Sequence, residues 1–473
     1  MPSSASVFRA SACAAAIVCL FAAARAADLP QRPTFERDVM PILTARGCNQ
    51  GACHGKSGGQ NGFALSLLGF DPAGDYHAVA AEGRGRRLSL AAPAQSLLLA
   101  KGTAAVPHGG GRRLDPEGDD VRLLVRWIEA GAPRAAPDDP RLSHLTISPP
   151  PRPLAPGETL RLTVTAHDTD GSSRDVTAVA AYQSNEPVVV RVAGDGGLTA
   201  GNLPGEASIM VRYMGQIATW GTIVPRAGAI DPQAWDTVPT RNFIDELAWK
   251  KLRDVNVLPS AAATDATFLR RASLDAIGRL PTAEETRRFL ADTRADKRDR
   301  IVDELLARPE YADRWANLWA DLLRPNPYRV GIKPTLSLDT FLRDAFAANM
   351  PYDRFAAEFL TATGSVWRNG AAVVYRDRRS PDEIVTLVSQ LFLGVRLECA
   401  KCHQHPFEVY GQADFYGLAA YFARVGYQGV GLSPPISGGE EAVVVKTEGE
   451  VRHPLTNAVL APKPLGGPPV SGG

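Results

Sequence analysis

Residues 399–403 read Cys399-Ala400-Lys401-Cys402-His403, and residues 48–54 read Cys48-Asn49-Gln50-Gly51-Ala52-Cys53-His54. Each stretch carries two thiols and closes on a histidine directly after the second. The chain has six cysteines, two of them (Cys13 and Cys19) inside an N-terminal apolar run. The remaining four all fall in these two stretches, so the two patterns use every cysteine beyond that run.

A porphyrin attached through thioethers needs two thiols for its vinyl groups and an imidazole placed at once to bind iron. Cys399, Cys402 and His403 have the usual two-residue spacing for haem c. Cys48, Cys53 and His54 have four intervening residues, so the loop must bulge, and Gly51 is expected to supply the freedom. Two haems c, covalently attached, are the cofactors expected, with His54 and His403 as proximal metal ligands. Other readings of the same residues stay open. A disulfide in each pair suits an exported protein but gives no reason for the histidines. A zinc site could draw on Cys399, Cys402, His403 and His405, although His403 is too near Cys402 to close an easy tetrahedron.

The opposite face of each iron is harder to assign. Beyond the initiator the methionines are Met40, Met210, Met214 and Met350, none of them between His54 and Arg126. That stretch offers His77 and His108 instead. His108 sits in Val106-Pro107-His108-Gly109-Gly110-Gly111, a loop able to approach the macrocycle, and is the expected metal ligand there. Bis-histidine ligation sets a lower potential than His/Met ligation. For the second site no distal partner is assigned: His405 is too close in sequence to His403, and His453 reaches only if the tail folds back.

Outward from the cysteines, the chain divides. Arg9, an apolar run over residues 10–24 and the small-x-small pattern Ala24-Arg25-Ala26 resemble an export signal over residues 1–26. The run is shorter than a membrane span needs, and no later segment could span. The mature chain is therefore expected in the periplasm or at the cell surface. Residues 33–135 start with Phe35, Val39, Ile42 and Leu43 at helical spacing. They end with Val121, Leu124, Val125 and Ile128 on one face, closed by Gly131 and Pro133. A helix, a Cys-Cys-His loop, a long middle and a final helix is the chain order of a small cytochrome c. A Pro-rich linker covers 136–150.

Residues 151–226 change to period-2 alternation (Leu160, Leu162, Val164, Ala166) with Gly, Asn and Asp turns, the pattern of a β-sandwich. Ser184-Asn185-Glu186-Pro187, Gly197-Leu198-Thr199-Ala200 and Gly205-Glu206-Ala207 resemble a group 2 bacterial immunoglobulin-like domain. Residues 235–430 read as helices, with capping boxes at Thr282/Glu285 and Ser380/Glu383. Residues 431–473 read as a flexible tail. The expected fold class is multidomain: an all-α cytochrome c-like domain, an all-β immunoglobulin-like sandwich, then a mainly α-helical domain.

The whole is similar to planctomycete-type cytochrome c proteins. The likeness rests on residues 47–72, 93–114 and 123–133 in the first block. In the helical block it rests on 268–282, 311–324 and 393–425. It implies haem attachment at Cys48, Cys53 and His54 and at Cys399, Cys402 and His403. It says little about a reaction. Such proteins continue into a second large domain, of which residues 431–473 would be only the approach.

Charge is balanced, with 52 Lys+Arg against 51 Asp+Glu, so no global field favours nucleic acid or an acidic membrane. The arginines of 83–87 read as a solvated loop. No phosphate-cradling loop, serine elbow or His-x-x-x-His pair is present, so no catalytic residues are assigned. The leading expectation is electron transfer with a redox partner protein. The alternatives are a non-redox surface protein with disulfides, binding a glycan or protein through the sandwich, and a haem oxidoreductase or peroxidase with an open iron position.

Overall fold

The computed structural model describes residues 30–429 and 439–470. The expected export signal, with Cys13 and Cys19, lies outside the described residues. The first segment is built from short helices, Met40–Ala45, Pro72–Tyr76, Leu97–Gly102 and Asp119–Glu129, joined by tight turns. The last is strongly amphipathic: Leu124, Trp127 and Ile128 are fully buried against Phe35, Val39 and Ile42. Asp119 and Asp120 place negative charge at its amino end, where the helix dipole favours it. The ends of the segment meet, because the Phe35 amide and the Trp127 indole both donate to the Pro133 carbonyl (3.0 and 2.9 Å).

Residues 142–224 form three small antiparallel sheets of three strands each. Thr163–Asp168 lies between Leu142–Ser148 and Ser173–Asp175, and Gly197–Ala200 between Thr159–Arg161 and Val190–Val192. Gly205–Tyr213 lies between Ala181–Ser184 and Gln216–Val224. Period-2 alternation drives Ala207, Ile209 and Val211 into the core. Trp220 is fully buried there and donates to the Pro149 carbonyl at 2.8 Å.

The helical segment opens at Phe243–Asp254 and packs its main core around Leu338, Leu342, Phe355, Phe359, Ile384, Val385 and Phe415. Both capping boxes form: Thr282 with Glu285 opens Ala283–Ala291, and Ser380 with Glu383 opens Pro381–Phe392. Trp319 joins this core, 4.8 Å from Phe355 and 6.0 Å from Phe392 between ring centres.

The residues expected as a flexible tail are partly built into the sheet and the helices. Glu441–Val445 pairs with both Val425–Gly429 and Gly364–Ser365. Val451–Arg452 pairs with Val459–Leu460, and the Lys463 amide donates to Gly417. The physical reason is the β-branched run Val443-Val444-Val445, which buries Val443 against the helical core.

The segments touch. Arg37 of the first forms an ion pair with Asp168 at 2.7 Å, and the Tyr213 hydroxyl donates to the Arg37 carbonyl at 3.2 Å. Arg212, 6% exposed, donates from Nη2 to the His405 carbonyl at 3.2 Å and also to the Pro406 carbonyl. The fold as described is mixed helix and antiparallel sheet, with the second Cys-Cys-His loop held against the strand region.

Candidate functional site

The first Cys-Cys-His loop follows Met40–Ala45 as a compact series of turns. The Cys48 amide donates to Leu43, the Cys53 amide to Gln50, and the His54 amide back to Cys48 (2.8, 2.9 and 3.0 Å). The four extra residues are thereby folded into the loop. Gly51 is not where the freedom is used. Gly47 takes φ +74°, and a Cβ on Gly55 would lie 2.0 Å from the Asn49 carbonyl oxygen. These two glycines flank the motif and let its backbone close on itself.

A cavity of about 430 Å³ opens beside this loop and is lined by Cys48, Cys53, His54 and His108 together. Four of the residues singled out in the sequence thus converge, although His108 lies far along the chain. His77 is not among the lining residues. The imidazoles of His54 and His108 are 6.3 Å apart between ring centres and 8° from parallel.

Hydrogen bonding sets their chemistry. His54 Nδ1 lies 2.8 Å from the Phe63 carbonyl and His108 Nδ1 2.9 Å from that of Gly111. A carbonyl only accepts, so each Nδ1 carries the proton and each Nε2 keeps its lone pair. A ligating histidine typically donates its other nitrogen in this way. Burial pulls the His54 pKa down, the Phe63 bond opposes, and the nearby His108 and Arg87 charges add to the lowering. The ring is therefore held neutral. Burial pushes the Cys48 thiol up to about 11, with Arg113 pulling the other way. All four described cysteines are free thiols.

The second loop follows Pro381–Phe392. Residues Leu397–Lys401 make a tight 3-10 turn, and the amides of Cys402 and His403 both reach the Cys399 carbonyl. Gln412 pins the loop from behind, donating to the carbonyls of Cys402 (3.0 Å) and Lys401 (3.3 Å). His403 Nδ1 lies 2.6 Å from the Gln404 carbonyl, so His403 has the same tautomer as His54, with Nε2 free of a proton. His405 is different. Its Nε2 faces the Arg396 carbonyl at 3.0 Å and its Nδ1 accepts from the Phe407 amide at 3.1 Å. Both nitrogens are taken by backbone, which leaves His405 no lone pair for a metal. His453 uses Nδ1 to accept from the amides of Leu455 and Thr456 in its own turn.

Residues 243–427 match the family PSCyt2, a protein of unknown function (DUF1549). PSCyt2 is the planctomycete cytochrome c-associated domain. The PSCyt2 match takes in Cys399, Cys402 and His403 and covers under half of the chain. It does not reach Cys48, Cys53, His54 or His108. No curated protein matches the chain.

Several residues of the site carry no motif. Phe63 holds His54 through its carbonyl and packs beside it, the rings tilted by 48° with centres 4.5 Å apart, and the Arg87 guanidinium lies 4.4 Å from the Phe63 ring centre. Arg87 is the main correction to the sequence reading of 83–87 as a solvated loop. It is 6% exposed and donates to the carbonyls of Ala78, Glu82 and Gly62. Phe70, 6.5 Å from His403 between ring centres, brings the first segment against the second loop.

Proposed function

We propose that the chain is an exported dihaem c-type cytochrome that passes electrons to a redox partner protein in the periplasm or at the cell surface. Cys48 and Cys53 would hold one haem and Cys399 and Cys402 the other, with His54 and His403 as proximal ligands. His108 would be a further ligand to the first iron. The first segment would then be the cytochrome c-like domain and residues 151–226 an immunoglobulin-like domain.

One observation carries this reading: His54 and His108 line one cavity as near-parallel imidazoles, both with Nδ1 tied to backbone. The Nδ1 bonds leave the Nε2 atom of each ring as the position that would bind a metal. The two thiols on the same cavity wall supply the attachment chemistry. At the second loop the donor types are the same and His403 keeps a free Nε2.

Bound haem c would supply an iron that accepts and releases one electron. The chain's own work is to hold the ring and set its surroundings. The Phe63 and Gly111 carbonyls would fix the orientation of the two imidazoles. The match to a cytochrome-associated domain is consistent with this role.

The test is a covalent-haem stain of protein exported in a host with haem-attachment machinery, on wild type, Cys53→Ala and Cys402→Ala. Each variant is expected to lose one haem. Retention of full haem content in both would end the proposal.

A further inference from the structure

The cavity beside His54 has an unusual wall. Its lining includes Arg86, Arg87, Lys101 and Arg113 and no aspartate or glutamate, in a chain whose overall charge is nearly balanced. Arg87 is committed elsewhere, to three backbone carbonyls and to Glu82 at 3.1 Å. The other three are available. Arg86 makes no side-chain hydrogen bond or ion pair among the described residues. Arg113 uses only Nε, on the Gly110 carbonyl at 2.9 Å, and Lys101 only one contact, the Pro107 carbonyl at 2.6 Å. The nearby carboxylate of Glu82 is spent on Arg87. Such clustered cations with open donors repel one another unless a counter-charge joins them.

We infer that Arg86, Lys101 and Arg113 form the seat for the two carboxylates of a porphyrin dicarboxylate, so the cavity selects a dianionic tetrapyrrole independently of thioether formation. The inference rests on the proposed haem site and deepens it. It assigns the anchoring of the ring's acidic edge to residues that neither the Cys-Cys-His motif nor the histidine pair supplies. Arginine suits this task because its planar fork presents two parallel N–H donors to a carboxylate. Leu43, Leu97 and Leu98 add an apolar part of the lining, as a tetrapyrrole face requires.

The experiment uses the full chain carrying Cys48→Ala and Cys53→Ala, made in a host without haem attachment. It is titrated with metal-free deuteroporphyrin and with deuteroporphyrin dimethyl ester, and the Soret shift is read. Neither probe has iron, so histidine ligation does not contribute. The diacid is expected to bind roughly tenfold to a hundredfold more tightly than the diester, and less tightly as salt rises. Arg86→Gln with Arg113→Gln is expected to remove most of that difference and leave the diester unchanged. Equal affinity for the two porphyrins overturns the inference and needs no arginine variant. So does failure of the diacid to bind while exported wild type carries haem at Cys48 and Cys53. Absence of haem from exported wild type would instead defeat the underlying functional reading.

Discussion

The imidazole planes of His54 and His108 lie 8° apart with their centres separated by 6.3 Å, although 54 positions of chain separate the two residues. Each is oriented by a backbone carbonyl rather than by a neighbouring side chain. The pair is therefore set by the fold of the loops, which is what a rigid ligand set needs.

On the proposed haem reading, His108→Ala should free a coordination position at the first site. Reduced wild-type protein is expected to leave its first-site spectrum unchanged under carbon monoxide, and the variant to bind it. His108→Met should raise the midpoint potential of that site, since a thioether favours the ferrous state more than imidazole does. An unchanged spectrum and potential in both variants would remove His108 from the ligand set.

Arg212 ties the strand region to the second loop through the carbonyls of His405 and Pro406. Arg212→Ala leaves those carbonyls without their charged donor, at a cost of about 1–3 kcal/mol. Hydrogen exchange should quicken across 404–410 in the variant, while the helix Asp119–Glu129 keeps its protection. Lysine at the same position, with a compact head in place of a fork, should restore only part of the loss.

Glu285 gives a pH signature in the helical segment. Its pKa is held down to about 2, first by the Thr282 backbone amide, against burial, with Arg279 and Arg308 assisting. A carboxylate whose folded pKa is depressed contributes stability above its unfolded value. That contribution, about 1 kcal/mol after solvent screening of this surface network, is lost as pH falls from about 4.5 to about 2. Glu285→Gln should destabilise the protein at pH 7 and have little effect near pH 2, read as the difference in unfolding free energy. A difference that did not change with pH would contradict the assignment.

Much of this architecture was legible from periodicity and caps. Val121, Leu124, Val125 and Ile128 announced the helix Asp119–Glu129, and Ser380-Pro381-Asp382-Glu383 announced the one that delivers Cys399. His108 could be named because the first segment offered few alternatives. What could not be read was which local turns would close. The sequence pointed to Gly51, but the tight approach falls at Gly55 against Asn49. Arg87 reads as solvated from sequence because its acceptors are the backbone carbonyls of Gly62, Ala78 and Glu82, which leave no residue-type signal. The residues after 438 looked like a tail because a lone Val-rich run carries no sign of its partner strands. His405 was a plausible ligand until its two nitrogens were found on Arg396 and Phe407.

The central claim is two covalently held haems. Protein exported in a host competent for haem attachment should be assayed by reduced pyridine haemochrome against protein concentration, with intact mass on the same sample. Two haems per chain, and a mass increase to match, are the predicted result. A colourless protein whose mass is that of the processed polypeptide, with or without disulfides, would contradict the account.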